Sequence, residues 1–116
     1  MDSGVPEIIL ASKSRVRSRL LKRAGVDFLV RPPDVDEAVI KKKAGNVSTK
    51  KLARILAETK ARQVSSDFTD ALVIGADQVL ECQGVLFDKP AGKKAAREHL
   101  MKLRGKMHHL TSSVCV

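Results

Sequence analysis

The chain has 116 residues, of which 43% are hydrophobic and 30% charged, a composition that fits one folded domain with a modest core and excludes a disordered chain. It contains no apolar run near the roughly 18 to 20 residues of a membrane span, and its first residues, MDSGVPEIIL, lack the features of a signal peptide. A cytoplasmic protein without a membrane partner is therefore expected. The net charge of +9 favours polyanionic partners, but with no Trp, no Tyr and only three Phe, a stable nucleic-acid complex is not expected.

The first third of the chain predicts a strand, a helix and a second strand. Residues 7–10, EIIL, are a short β-prone run, and Ser12 or Ser14 then offers an N-cap for a helix whose apolar residues recur at helical spacing until Gly25. A second strand is expected near DFLVR, residues 27–31, because two prolines follow it. This order is the start of an α/β fold.

The middle third predicts a loop, a long helix and a broken strand. Residues 34–48 show no periodicity and predict a mobile loop. A helix is expected from Ser48 or Thr49, and its apolar stripe puts Lys60 near the edge of the buried face. Residues 71–80 predict two strand segments with a tight break at the GAD sequence between them.

The last third predicts a hairpin, a helix and a final strand. QG at 83–84 turns the chain, VLFDKP is a short strand, and residues 92–104 form a helix that ends at Gly105. Four residues of this helix are expected to point inward: Ala95, Ala96, Leu100 and Leu103. The chain ends in the β-prone MHHLTSSVCV, which resembles a sheet strand without its next neighbour, so a shortened chain is expected. The two cysteines, Cys82 and Cys115, are expected to be reduced thiols.

The junction of the first strand and helix is a candidate phosphate site. Backbone N–H groups at the start of a helix attract anions, and Ser12 and Ser14 add hydroxyl groups. Arg17, one turn into the helix, has a planar guanidinium group suited to phosphate oxygens. An ordinary capped helix with a solvated arginine is the alternative.

Acidic residues near the predicted strand ends are the second candidate site: Asp36, Glu37, Asp77 and Asp88. Carboxylates that converge at one edge of a sheet, together with phosphate oxygens, are a common site for Mg²⁺ or Mn²⁺. Asp77 carries most of this interpretation, because an acid between two apolar segments must be paired, hydrogen-bonded or bound to metal. A salt bridge remains the alternative for Lys89, which follows Asp88.

Six motifs occur in a familiar order: ILASKSRVRSRLLKRAGV, DVDE, LAETKA, VIGADQVL, DKP and AREHLMKLRGKMHHLTSSV. In this order and spacing the sequence resembles the Maf family of nucleoside triphosphate pyrophosphatases, once called septum formation inhibitors. The resemblance implies an α/β fold with a mixed β-sheet and flanking helices, of the inosine triphosphate pyrophosphatase-like kind. Residues 1–116 would form a single domain that is the N-terminal portion of the family fold, incomplete at the C-terminus.

The resemblance also implies a reaction and a set of site residues. The expected reaction is hydrolysis of a nucleoside triphosphate to a nucleoside monophosphate and pyrophosphate, with a divalent metal cation, Mg²⁺ or Mn²⁺. The catalytic residues would be Asp77, Glu37 and Lys89, of which Asp77 and Glu37 would also bind the metal. The substrate would bind to Ser12, Arg17, Lys60 and Gln78.

The sequence departs from the family pattern at two of these positions. Val16 stands where many members have an arginine, so Arg17 alone is expected to bind phosphate there. Gln78 stands where relatives that hydrolyse dTTP and UTP usually have Thr, and the Asp-Gln pair is more like the branch associated with 7-methyl-GTP.

Two other functions stay open at this point. A catalytically impaired, truncated form would bind nucleotides or other polyanions without turnover and affect cell division, as the older family name implies. A basic RNA- or DNA-binding module is the third hypothesis, and the acids disfavour it because they repel phosphate when no metal is bound. A homodimer also stays open as the assembly.

Overall fold

The computed structural model describes residues 4–116, and within them the chain forms a layered α/β fold. The elements, in chain order, are β1 (Ile8–Ala11), α1 (Arg15–Arg23), β2 (Leu29–Val30), α2 (Glu37–Ala44), α3 (Thr49–Ser65), β3 (Leu72–Cys82), β4 (Val85–Phe87), α4 (Lys93–Leu103) and β5 (His108–Cys115). The predicted α/β class with a mixed sheet and flanking helices is confirmed.

The sheet is built around β3, its longest strand. β1 runs parallel to β3 and also pairs with β2, whereas β4 and β5 run antiparallel to β3. The hairpin between β3 and β4 turns at Gln83 and Gly84, both with positive φ, as the QG sequence predicts. The parallel and antiparallel ladders together make the sheet mixed.

One edge of β3 is shared by two strands that do not meet. β5 pairs with β3 from Gly75 to Cys82 and so occupies one edge along that length. On the other edge, β1 pairs with β3 only up to Gly75, and β4 begins to pair at Leu80. Residues 76–79 therefore face a gap between β1 and β4, and this gap positions the site described below.

The core lies between α3 and one face of the sheet. Alternate residues of β3, namely Val73, Gly75, Asp77 and Val79, are buried on that face, and α3 covers them with an apolar stripe. The helix comes so close that a Cβ atom added at Gly75 would lie 2.8 Å from the backbone nitrogen of Ala61. Gly75 is therefore a packing requirement within a continuous strand, and the predicted break at GAD is wrong.

The prediction of a mobile loop over residues 34–48 is also wrong, because α2 occupies most of this segment. Asp36 caps this helix by accepting hydrogen bonds from the backbone N–H groups of Ala38 (3.1 Å) and Val39 (3.3 Å). Three lysines in the last turn suit the negative end of the helix, and Gly45 follows with a φ of 67°. These end signals stabilise a helix that has no fully buried residue.

The helix after β4 is present as predicted, but its packing differs. Ala95, Ala96 and Leu103 are half-buried, whereas Leu100 is 68% exposed, so the prediction that it points inward is wrong. No element within residues 4–116 covers Leu100, although the spacing of the apolar residues is helical. In the described part of the chain, Cys82 and Cys115 are both free thiols, as expected. None of the helices in residues 4–116 has both the length and the apolar character required to cross a membrane.

Candidate functional site

A cleft of about 800 Å³ opens at the gap between β1 and β4. Its walls come from the β1–α1 junction, from α2, and from β4 with the residues that follow it, while Lys60 of α3 and residues 77–79 of β3 form its floor. Six basic side chains and three acidic ones line the cleft. The surplus of positive charge favours an anionic ligand.

The centre of the floor is an ion triad of Lys60, Asp77 and Glu37. The Nζ atom of Lys60 lies 2.8 Å from Oδ1 of Asp77 and 2.7 Å from Oε1 of Glu37. Lys60 and Asp77 are only 8% and 6% exposed, whereas Glu37 reaches in from the start of α2 and is half exposed to solvent. A buried charge needs a charged or hydrogen-bonding partner, and here each member of the buried pair supplies one to the other.

The local fold explains how these three side chains meet. Asp77 stands on the α3-facing side of β3, two residues past the last pairing with β1. Lys60 follows Leu56 by four residues on α3, so it continues the buried stripe toward Asp77. Its position is therefore deeper than the edge position that the sequence predicts.

The triad keeps Lys60 charged. Burial by itself lowers the pKa of Lys60, but the hydrogen bonds to Asp77 and Glu37, with the attraction of both carboxylates, outweigh burial and raise the pKa above its ordinary value. The ammonium group is therefore a permanent positive charge at neutral pH.

The β1–α1 junction forms one wall of the cleft. Ser12, 2% exposed, directs its Oγ atom to accept a hydrogen bond from the backbone N–H of Ser14 at 3.0 Å. Ser14 is the N-cap of α1 and accepts from the backbone N–H of Arg17 at 3.2 Å. The N-terminal end of α1 and the side chain of Arg17 thus lie at the cleft, as the sequence predicts.

Gln78 and Lys89 line other parts of the same cleft. Gln78 is exposed, and its Nε2 atom donates a hydrogen bond of 2.9 Å to Oγ of Ser112 on β5. Lys89 is exposed on the wall that follows β4. All seven residues predicted for the site therefore line one cleft: Ser12, Arg17, Glu37, Lys60, Asp77, Gln78 and Lys89.

The predicted convergence of acids is only partly observed. Asp36 caps α2, and Asp88 forms an ion pair with Lys41, whose Nζ lies 2.6 Å from its Oδ1. Lys41 was not singled out in the sequence, because it lay in a segment predicted to be a loop. The signal that reveals it is helical spacing, since Lys41 follows Glu37 by four residues.

Glu37 and Asp77 offer carboxylate oxygens, the type of donor atom that Mg²⁺ and Mn²⁺ prefer. Lys60 contacts one oxygen of each carboxylate, Oε1 of Glu37 and Oδ1 of Asp77. Within residues 4–116, no cluster of three or more His, Cys, Asp or Glu residues forms a complete protein cage for a metal. One or two carboxylates completed by phosphate oxygens and water is the usual Mg²⁺ arrangement.

Fold and site together define an α/β protein with a cationic cleft at a gap in a mixed sheet, built around a buried lysine and two carboxylates. Comparison with known families makes the assignment specific. The family model described as Maf-like protein matches residues 7–116, and the chain belongs to this family.

Curated relatives are similar over nearly the whole chain. A nucleoside triphosphate pyrophosphatase of Ruegeria sp. (strain TM1040) is 45% identical over 94% of this chain and 56% of its own length. A protein of the same name from Paramagnetospirillum magneticum is 48% identical over 91% and 56% of the two chains. A 7-methyl-GTP pyrophosphatase of Bartonella quintana is 46% identical over 94% and 55%. The chain thus spans a little over half the length of these relatives.

Proposed function

We propose that this chain hydrolyses a nucleoside triphosphate between its α- and β-phosphates and releases a nucleoside monophosphate and pyrophosphate. The observation that carries the proposal is the buried Lys60, held between Asp77 and Glu37 on the floor of a cationic cleft. The activity in the names of the relatives agrees with it. The proposal treats residues 1–116 as a single Maf-like domain that is the N-terminal portion of the family fold; residues 1–3 lie outside the described residues.

Asp77 is the central catalytic residue in this proposal. In the reaction, water attacks the α-phosphorus, a new P–O bond forms, and the bond to the bridging oxygen of the β-phosphate breaks. Asp77 accepts the proton of that water or binds the metal, and Glu37 completes the carboxylate pair. Lys60 fixes both carboxylates in place, because its Nζ atom lies within 2.8 Å of each.

The remaining cations bind the phosphate chain. The free N–H groups at the start of α1, with Ser12 beside them and Arg17 one turn on, form an anion site of the kind common at helix N-termini. Lys89 stands on the wall after β4 and stabilises the negative charge that grows on the leaving pyrophosphate.

A divalent metal cation, Mg²⁺ or Mn²⁺, is part of the proposal. Glu37 and Asp77 would hold it, together with phosphate oxygens of the substrate. When bound, the metal supplies charge neutralisation for the phosphates and polarises them toward attack.

Gln78 is the proposed contact for the nucleotide base. It is the exposed amide of the cleft floor, and an amide can both donate and accept hydrogen bonds at a base edge. The relative named 7-methyl-GTP pyrophosphatase makes methylated guanine nucleotides the first substrates to test. Cytoplasmic location and assembly as a homodimer remain predictions from the sequence.

The test is a pyrophosphate-release assay over a panel of canonical and modified nucleoside triphosphates, with Mg²⁺ or Mn²⁺. Wild-type protein is expected to release pyrophosphate from at least one of them, and Asp77→Asn is expected to lose at least about 100-fold in kcat. Asp70→Asn is the matched control, because Asp70 is exposed and does not line the cleft. Nucleotide binding without release would refute the proposal in favour of a binding protein, and release unaffected by Asp77→Asn would refute the role of Asp77.

A further inference from the structure

An ion pair between Lys41 and Asp88 spans the cleft. Lys41 belongs to α2 on one wall, and Asp88 directly follows β4 on the other. Their charged atoms, Nζ and Oδ1, are 2.6 Å apart. The reaction proposed above uses neither side chain.

The position of Lys41 on α2 directs it toward the cleft. Glu37 and Lys41 are four residues apart, so they lie on the same face of the helix. Glu37 contacts Lys60 at the cleft floor, and Lys41 is therefore one helical turn away along the same wall. Ile40 and Ala44, which adjoin Glu37 and Lys41 on the helix surface, pack against the apolar cluster of α3 and β3, and this packing fixes the orientation of the helix.

The ion pair is easily exchanged for another anion. The side chain of Asp88 is 79% exposed and that of Lys41 is 31% exposed, so water screens their attraction and the pair contributes little stability. A phosphate group brings more negative charge and more acceptor oxygens than a single carboxylate. A chain of phosphates that enters the cleft can therefore displace Asp88 from Lys41.

We propose that Lys41 is a further phosphate-binding residue of this cleft. Asp88 pairs with Lys41 in the absence of ligand and thereby competes with phosphate, until a polyphosphate displaces it. The ligand class is a chain of two or more phosphates, which is long and charged enough to reach Lys41 while the inner cations are also engaged. A single phosphate group binds to the other cations of the cleft and leaves the Lys41–Asp88 ion pair intact. The inference rests on the proposed function in one respect, that a polyphosphate is the ligand of this cleft.

The test compares two variants that should act in opposite directions. Binding of inorganic tripolyphosphate to the full chain is measured by titration calorimetry at a fixed Mg²⁺ concentration. Lys41→Ala is expected to weaken binding by about threefold to fivefold, and Asp88→Asn to tighten it by about twofold to threefold, the range of a single exposed ion pair. In the double variant Lys41→Ala/Asp88→Asn, the gain in affinity from Asp88→Asn should disappear, because the lysine that Asp88 would otherwise pair with is absent.

Matched controls separate this pattern from a general effect of charge. Lys42→Ala removes the same charge from the next residue of α2, and Asp67→Asn removes an exposed carboxylate; neither residue lines the cleft. Lys42→Ala should change the dissociation constant by less than Lys41→Ala does, and Asp67→Asn by less than Asp88→Asn does. Urea unfolding of every variant checks that it is folded, and Lys41→Gln replaces Lys41→Ala if the latter is not.

Several outcomes would overturn the inference. They are weaker binding by both variants, a gain from Asp88→Asn that persists without Lys41, or no binding of tripolyphosphate by the wild-type chain. Pyrophosphate release from nucleoside triphosphates, assayed with the same protein preparations, distinguishes this inference from the proposed function. Opposite effects on binding without release would support the role of Lys41 and refute hydrolysis, whereas release with identical binding by all variants would refute the role of Lys41 alone.

Discussion

Replacement of Lys60 by methionine tests how the centre of the site is held together. Methionine keeps an unbranched apolar stem of similar length, so the variant removes the ammonium group and little of the packing. It leaves Asp77 buried and Glu37 half exposed without their common partner. Removal of one member of a buried pair typically costs about 3 to 5 kcal/mol.

The structure favours the lower end of that range. Glu37 is 45% exposed at its side chain, so water can replace Lys60 there, and the cost falls mainly on Asp77, whose side chain is 8% exposed. We expect the free energy of unfolding at pH 7 to fall by about 3 kcal/mol. With a urea slope of about 2 kcal/mol/M, the unfolding midpoint should fall by about 1.5 M.

The pH dependence of this difference follows from the pKa of Lys60, which is higher in the folded chain than in the unfolded one. A raised pKa stabilises the fold fully below the unfolded-state value of about 10.4, and the contribution is lost as the pH rises through the folded-state value. The gap in stability between wild type and Lys60→Met should therefore be constant near neutral pH and shrink above about pH 10.4.

Urea unfolding followed by circular dichroism between pH 7 and pH 11.5 measures both effects. Lys51→Met is the control, because Lys51 is an exposed residue of the same helix, and it should change stability by less than about 0.5 kcal/mol. The double variant Lys60→Met/Asp77→Asn should recover part of the loss, since it no longer buries an unpaired charge. A loss below about 0.5 kcal/mol for Lys60→Met, or a loss that is the same at every pH, would refute the role given to the triad.

Two further predictions concern the scaffold. Gly75→Ala places a Cβ atom 2.8 Å from the backbone nitrogen of Ala61, so we expect the free energy of unfolding, measured in urea, to fall by about 1 to 3 kcal/mol. Gly92→Ala is the control, because its Cβ atom meets no atom within 4 Å. Equal effects of the two substitutions would contradict the close packing of α3. Asp36→Ala removes the N-cap of α2 and should cost about 1 kcal/mol by the same measurement. Because α2 carries Glu37, the same variant should also raise the KM for the triphosphate, and an unchanged stability would contradict the capping role.

The sequence predicts well those elements that are determined by residues close together in the chain. The helix of residues 49–65 has a serine cap and a regular apolar stripe, and both features are local. The hairpin after β3 likewise follows from its two-residue turn. Neither requires knowledge of what packs against the element.

The wrong predictions concern residues whose role depends on distant parts of the chain. Gly75 resembles a strand break in the sequence, but its lack of a side chain serves the close approach of α3, which begins 26 residues earlier, at Thr49. Leu100 has helical spacing, yet nothing in the described chain covers it. Asp36 is a different case: it was one of four candidate acids, and it caps α2 through backbone N–H groups only two and three residues away.

The sequence could predict which residues line the candidate site, but not the contacts between them. Acids and cations in these motifs indicate phosphate chemistry, and the cleft indeed collects all seven predicted side chains. The sequence could not show that Lys60 lies between two carboxylates, because that contact joins residues 17 positions apart on different elements. Their individual roles stay predictions until the variants are assayed.

The most direct test of the central claim is identification of the products from a preferred triphosphate in ¹⁸O-labelled water. We expect nucleoside monophosphate and pyrophosphate in equal amounts from the wild-type chain with Mg²⁺, with the label in the nucleoside monophosphate because water attacks the α-phosphorus, and at least about 100-fold slower formation by Asp77→Asn. Release of nucleoside diphosphate and inorganic phosphate, or equal rates for wild type and Asp77→Asn, would contradict the account.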